Sequence, residues 1–180
     1  MFYDGFDFID IYLYDFSLDS DKIEIYEKIL INYGLTFSNL VYEFDKKPYL
    51  VNSKLYISFS NKNNKILIAV SNTSIGVDIE LNKSLSQNLI NKILTIDEKK
   101  YDKHLYGDIS SSIFFWTRKE AYSKFTGKGM SINFNTIDTT HIENFYHYII
   151  DNYLITIYCT IVVKNISLYG NFKGIRAISI

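Results

Sequence analysis

Two short stretches of this chain carry residues whose types and spacing suit chemistry. In Gly76-Val77-Asp78-Ile79-Glu80, two carboxylates stand at i and i+2. On a strand they share one face, while Val77 and Ile79 point the other way. In Trp116-Thr117-Arg118-Lys119-Glu120-Ala121-Tyr122-Ser123-Lys124, Glu120 and Lys124 stand at i and i+4, on one stripe of a helix. Three acids and a lysine on rigid elements are what a hard divalent cation needs to hold a phosphate-bearing substrate. Asp78 and Glu80 could give magnesium two oxygen ligands from the strand, and Glu120 a third from the helix. Lys124 would reach a phosphate oxygen as a point charge. The turn Gly127-Lys128-Gly129 could add backbone amides and the Lys128 ammonium to the same site. Each motif alone has a plainer reading. A D-x-E strand is usually a solvated face, a Glu–Lys pair at i, i+4 is usually a surface ion pair, Trp116 suits a core, and Gly127 suits a helix stop.

The elements that must position these groups follow from periodicity and turn residues. Residues 2–16 read as one strand or a bent pair. A helix is predicted from about Lys22 to Asn32, capped by Ser20 or Asp21 and ended by Gly34. After a loop around Asp45-Lys46-Lys47-Pro48 come strands at Leu55–Ser60, Lys65–Ser71 and Ile75–Glu80, with turns at Asn61–Asn64 and Asn72–Ser74. Polar residues 82–88 form a junction. Leu89–Leu94 and Asp97–Leu105 read as helical. The strongest helix runs from about Ser111 to Phe125, with Ser110 to Ser112 as caps and Phe114, Ala121, Tyr122 and Phe125 as its core face. A hairpin is predicted from Tyr146–Ile150 and Tyr153–Val163 around Asp151-Asn152, and Gly174–Ile180 is a candidate last strand. Helix followed by strands occurs on both sides of the junction. The expected class is therefore α+β, with two similar halves, 1–83 and 84–180, packed together.

Composition narrows the function. A 47% hydrophobic share suits a globular protein with a core. The net charge of −1 weighs against nonspecific nucleic-acid binding. The one cysteine, Cys159, cannot form an internal disulfide and reads as a small buried hydrophobe. No targeting signal or membrane span is expected, and the cytoplasm is the default location. His104, His141 and His147 lack metal spacing and read as surface or loop residues.

Taken together, the motifs resemble the 4′-phosphopantetheinyl transferase family, in its larger pseudo-dimeric type that activates nonribosomal peptide and polyketide synthases. The family's G-(I/V)-D-I-E is Gly76–Glu80. Its W-x-x-K-E-(A/S)-x-x-K, followed by G-x-G-(L/M), is Trp116–Lys124 and Gly127–Met130. Thr95-Ile96-Asp97-Glu98 falls at the family's polar turn ending in Glu, and Lys47-Pro48-Tyr49-Leu50 matches G-K-P-x-(L/I), with Lys46 replacing the glycine. The resemblance spans about Lys46 to the C-terminus. It implies transfer of the phosphopantetheine arm of coenzyme A to a serine of an acyl or peptidyl carrier protein, with adenosine 3′,5′-bisphosphate as the other product. By the same match Asp78, Glu80 and Glu120 would bind Mg2+ (or Mn2+), and Glu120 or a water it orients would take the serine proton. Lys124 would neutralise the phosphate in flight, and Lys47 would meet the adenosine 3′-phosphate. Ser58 and Lys128 complete the expected coenzyme A contacts.

Two departures from the family stand out. Its Ser-His-Ser segment, whose histidine meets a coenzyme A phosphate, is here Ser58-Phe59-Ser60. Basic residues are also few in the N-terminal part, and the chain's only arginines are Arg118 and Arg176. Both point to a raised apparent Michaelis constant for coenzyme A. A non-catalytic member that binds carrier protein or coenzyme A is the alternative, and a metal-dependent phosphohydrolase using the same acids ranks last. Carrier docking could involve Leu105–Ile113 or Lys99, Lys100 and Lys103, although those lysines read first as a solvated face. A monomer is expected, because two halves in one chain supply their own interface.

Overall fold

The computed structural model describes residues 6–43, 46–101, 104–106, 108–170 and 172–178. In chain order its elements are β1 (Phe8–Asp15), α1 (Asp19–Leu30), β2 (Leu40–Val41), β3 (Tyr49–Leu50), β4 (Tyr56–Lys62), β5 (Lys65–Ser71), β6 (Gly76–Leu81), α2 (Gln87–Ile93), β7 (His104–Tyr106), β8 (Ile109–Ser110), α3 (Ser111–Thr126), β9 (Phe145–Ile150), β10 (Tyr153–Tyr158), β11 (Asn165–Gly170) and β12 (Ile175–Ile178). The fold is mixed α+β. No helix among the described residues is long and apolar enough to cross a membrane.

Alternate residues of the strands serve different cores, because side chains on a strand switch face at every step. Ile9, Ile11, Leu13, Leu67 and Ala69 pack against Val77, Ile79, Ile155 and Ile157. Tyr12, Ile66, Ile68 and Val70 pack the other way, onto Ile29 and Leu30 of α1. Leu154 faces Phe114 and Phe115 of α3 and Ile93 beside them. The result is four layers: α1, a sheet ordered β11-β1-β5-β4, a sheet ordered β12-β9-β10-β6, and α3. The second sheet is antiparallel throughout. In the first, β11 joins β1 in parallel. The two sheets thus trade strands across residue 83: β6 precedes it yet belongs to the second sheet, and β11 follows it yet belongs to the first.

Several expectations need correction. The described residues of Asp97–Leu105 form no α-helix. The stretch holds one 3₁₀ turn, Glu98–Lys100, and then β7, whose His104 pairs with Ser110 of β8. The Glu98 carboxylate explains the break, since it accepts from Thr95 N (2.9 Å) and from Thr139 N (3.0 Å) and Oγ1 (2.8 Å). Those bonds hold the turn to a distant loop instead of letting the helix run on. Tyr153–Val163 is also not one strand. It ends at Tyr158, and a separate strand, β11, crosses to the other sheet. Ser110 does not cap α3 through its side chain. Its Oγ bonds Ser84 Oγ and Ser112 Oγ, both at 3.0 Å, and so staples the helix start to the junction. His147 is buried in β9, with Nδ1 3.0 Å from Thr156 Oγ1 and its ring 4.6 Å from that of Phe114. Burial and then nearby Arg118 push its pKa well down, so it is neutral. Residues 2–5, Asp45, Lys103 and 179–180 lie outside the described residues, as do the side chains of Ser20, Leu105 and Met130.

One buried ion pair anchors α3. Lys119 Nζ lies 2.8 Å from Glu98 Oε2, with both side chains fully buried, and it also donates to Phe134 O at 2.7 Å and to Ile137 O. Removing one partner of such a pair strands the other without solvent. Lys119→Met should therefore lower unfolding free energy by about 3 kcal/mol in urea titrations, and adding Glu98→Gln should restore part of that loss.

Candidate functional site

Gly76 sets how closely α3 lies on β6. A Cβ there would fall 2.0 Å from Ala121 O and 2.4 Å from Phe125 N. The helix backbone therefore rests directly on the strand, and Glu120 and Lys124 come down beside Asp78 and Glu80. A second device ties the same joint. Lys47 Nζ donates to Ile75 O (2.6 Å) and Phe125 O (3.4 Å), bridging the start of the strand and the end of the helix. Gly127 then stops the helix in the left-handed region at φ 72, a conformation that costs glycine little.

The edges of the two sheets meet through serine side chains. Ser58 Oγ accepts from Val77 N at 3.2 Å, and Ser60 Oγ accepts from Ile79 N at 3.4 Å. Two hydroxyls at i and i+2 on β4 stand in for a strand partner of β6. Ser60 Oγ also donates to Asp78 Oδ1 at 2.8 Å. Lys124 Nζ completes a triangle, 2.7 Å from both Asp78 Oδ1 and Ser60 Oγ. Glu80 is held by Lys62 Nζ on Oε2 (2.5 Å) and by Trp116 Nε1 on Oε1 (3.3 Å). Lys62 does not stand out in the sequence, and Ser60 enters it only as part of Ser58-Phe59-Ser60, with no sign of its bonds to Asp78 and Lys124.

Two carboxylate oxygens in this joint, Asp78 Oδ2 and Glu120 Oε1, are buried without a hydrogen-bond partner. Such orphaned atoms cost about 1–3 kcal/mol each in desolvation. Among the described residues, no three His, Cys, Asp or Glu side chains form a ready-made metal cluster. The expected triad of Asp78, Glu80 and Glu120 is thus not gathered into a coordination shell here. Ammonium groups hold Asp78 and Glu80 instead. The donor chemistry nevertheless suits a hard cation, with buried anionic oxygens that lack a donor.

Electrostatics single out Glu120. Burial, then the Asp78 charge, raises its pKa from 4.5 to about 7, against the pull of Lys124. The protonated form is therefore favoured in the folded state. The resulting contribution to stability is full below about pH 4.5, is lost as pH rises to about 7, and changes no further beyond that. In chelator, the wild-type melting temperature should fall between pH 5 and pH 7 relative to Glu120→Gln, as read by calorimetry.

A cavity of about 550 Å³ opens beside this joint, lined by Tyr26, Tyr42, Phe59, Lys47, Lys124 and Lys128, among others. Ser58 also lines it. All four residues expected to contact coenzyme A, Lys47, Ser58, Lys124 and Lys128, therefore border one space, and Lys124 links it to the acids. Lys47, however, spends its ammonium on two carbonyls, and burial lowers its pKa to about 8. Phe59 packs among aromatic rings: its centroid lies 5.0 Å from Tyr26 and 5.9 Å from Tyr42. Near the expected docking face, Tyr101 is exposed, and its ring lies 5.1 Å from that of buried Phe115, tilted at 59°.

A family model for the 4′-phosphopantetheinyl transferase superfamily matches residues 74–161, just under half of the chain. The match runs from the turn before β6 past the end of β10, and so includes Asp78, Glu80, Glu120 and Lys124 but not Lys47 or Ser58. Among curated proteins, no significant match is found.

Proposed function

We propose that the protein transfers 4′-phosphopantetheine from coenzyme A to a serine hydroxyl of an acyl or peptidyl carrier protein, as a holo-carrier-protein synthase. The observation that carries this reading is the pair of buried, unpartnered carboxylate oxygens on Asp78 and Glu120, joined through Lys124 to a cavity of nucleotide size. The superfamily match over the same elements supports it.

Asp78, Glu80 and Glu120 would hold Mg2+ in this scheme. The bound ion would offset charge on the pyrophosphate and on the leaving group. Lys124, already beside Asp78, neutralises the phosphoryl oxygens as charge moves onto the leaving side. Glu120 takes the proton of the attacking serine, and its pKa of about 7 suits a base at neutral pH. Lys128 meets the diphosphate from the turn after α3. Lys47 acts by fixing the joint between β6 and α3. The protein works as a monomer in the cytoplasm on this reading, with the halves 1–83 and 84–180 forming the cleft.

The test is intact-mass analysis of an apo carrier protein incubated with coenzyme A and Mg2+. A mass increase of one phosphopantetheine, lost with chelator and regained with Mg2+, is the expected result. One observation favours a second reading, a carrier-protein or coenzyme A binder without catalysis: Lys62 and Lys124 occupy the acids that a metal would need. That reading predicts complex formation with no change in mass.

A further inference from the structure

The cavity beside Lys124 is rich in rings and poor in uncommitted charge. Tyr26, Tyr42 and Phe59 interlock, with Tyr42 and Phe59 near parallel at 27°. Tyr26 is braced from behind by Phe37, stacked at 6.2 Å. Tyr42 remains 53% exposed, which leaves ring surface open. Four lysines border the same space. Lys46 pairs with Glu43, Lys47 bonds two backbone carbonyls, and Lys124 is on Asp78 and Ser60. Among the described residues, Lys128 is the one lining lysine whose ammonium has no partner. Coenzyme A brings a diphosphate and a further phosphate on the ribose. Lys128, with Lys124 exchanging its bond to Ser60, can serve the diphosphate, and the other lining lysines, Lys46 and Lys47, are held by Glu43 and by two backbone carbonyls. A purine, in contrast, meets an ordered aromatic wall, and stacking on such a wall contributes about 1–3 kcal/mol per base.

We propose that this chain holds the nucleotide end of its donor by stacking on Tyr26, Tyr42 and Phe59 rather than through the 3′-phosphate, and so uses dephospho-coenzyme A as a donor on a par with coenzyme A. This rests on the transferase reading given above. The chemistry is unchanged. The carrier serine oxygen bonds to the pantetheine-side phosphorus, and the bridging P–O bond breaks. Its electron pair leaves with adenosine 5′-monophosphate in place of the 3′,5′-bisphosphate, and the serine proton passes to Glu120.

Measuring kcat/KM for both donors on one apo carrier protein tests this. A ratio under about tenfold is expected, tenfold corresponding to about 1.4 kcal/mol of lost contact. Tyr42→Ala, an exposed position that leaves the core intact, should raise KM for both donors by about five- to tenfold with kcat unchanged. Coenzyme A working tenfold or more better than its dephospho form would overturn the inference while leaving the transferase reading in place. Unchanged KM values in Tyr42→Ala would overturn the stacking mode. Transfer from neither donor would overturn both this inference and the activity it rests on.

Discussion

Glu120→Gln should reduce transfer onto an apo carrier protein by roughly 10²–10⁴-fold, the range for losing a positioned general base. The amide has nearly the same shape but neither the charge nor a basic oxygen. The side chain lies in a joint where Oε1 is already buried without a partner, so the fold loses no hydrogen bond on that atom. The variant should therefore fold and bind coenzyme A, and in chelator at pH 8 it should melt no lower than wild type. That combination separates a chemical role from a structural one. Asp78→Ala is a harsher companion, because it also strands Lys124 and Ser60, which both bond Asp78 Oδ1. Transfer by Glu120→Gln within fivefold of wild type would remove Glu120 from the mechanism.

Gly76→Ala should be among the most damaging single methyl additions in the described residues. The added carbon would sit 2.0 Å from Ala121 O and 2.9 Å from Phe125 Cα. Both are backbone atoms, so no rotamer change relieves the overlap, and α3 must move off β6. We expect a loss above about 5 kcal/mol, the tail reserved for disrupted cores and strain, visible as insoluble protein or a collapsed melting temperature. Space is the cause, since Gly76 is not among the glycines with positive φ. Gly174→Ala is the control: nothing lies within 4 Å of its added carbon, and a change within about 0.5 kcal/mol is expected. Equal behaviour of the two variants would contradict the close strand–helix approach.

The parts of the fold that the sequence makes legible are those specified locally. Val77 and Ile79 alternate with Asp78 and Glu80, and alternation is enough to assign β6 and the shared face of its acids. Gly127 marks the end of α3 because its stop needs a left-handed residue. What stayed hidden depends on segments far apart in the chain. Glu98 breaks the predicted helix after Asp97 by bonding Thr139, 41 positions away. His147 is drawn into the core by its strand partner Thr156 and by Phe114. Lys119 and Glu120 are neighbours of similar polarity, yet one anchors a buried loop and the other faces the acids. Only the 100° step between adjacent helix positions, combined with where Glu98 lies, separates their fates. Lys47 shows the same limit: its motif implied a contact with the adenosine 3′-phosphate, and gave no sign of its bonds to Ile75 O and Phe125 O.

The parallel pairing of β11 with β1 has a consequence for biosynthesis. Phe8 pairs with Asn165 and Leu13 with Gly170, so β1, once made, waits for a strand that lies far along the chain. While a ribosome is still adding residues up to about 160, β1 can bond β5 on one side but keeps an open row of amides and carbonyls on the other. Open edges of this kind recruit other chains, and distant pairings form late. Stalled or prematurely terminated products should thus be the sticky species in a cell making this protein, and a chaperone acting on the nascent chain would have that edge to shield.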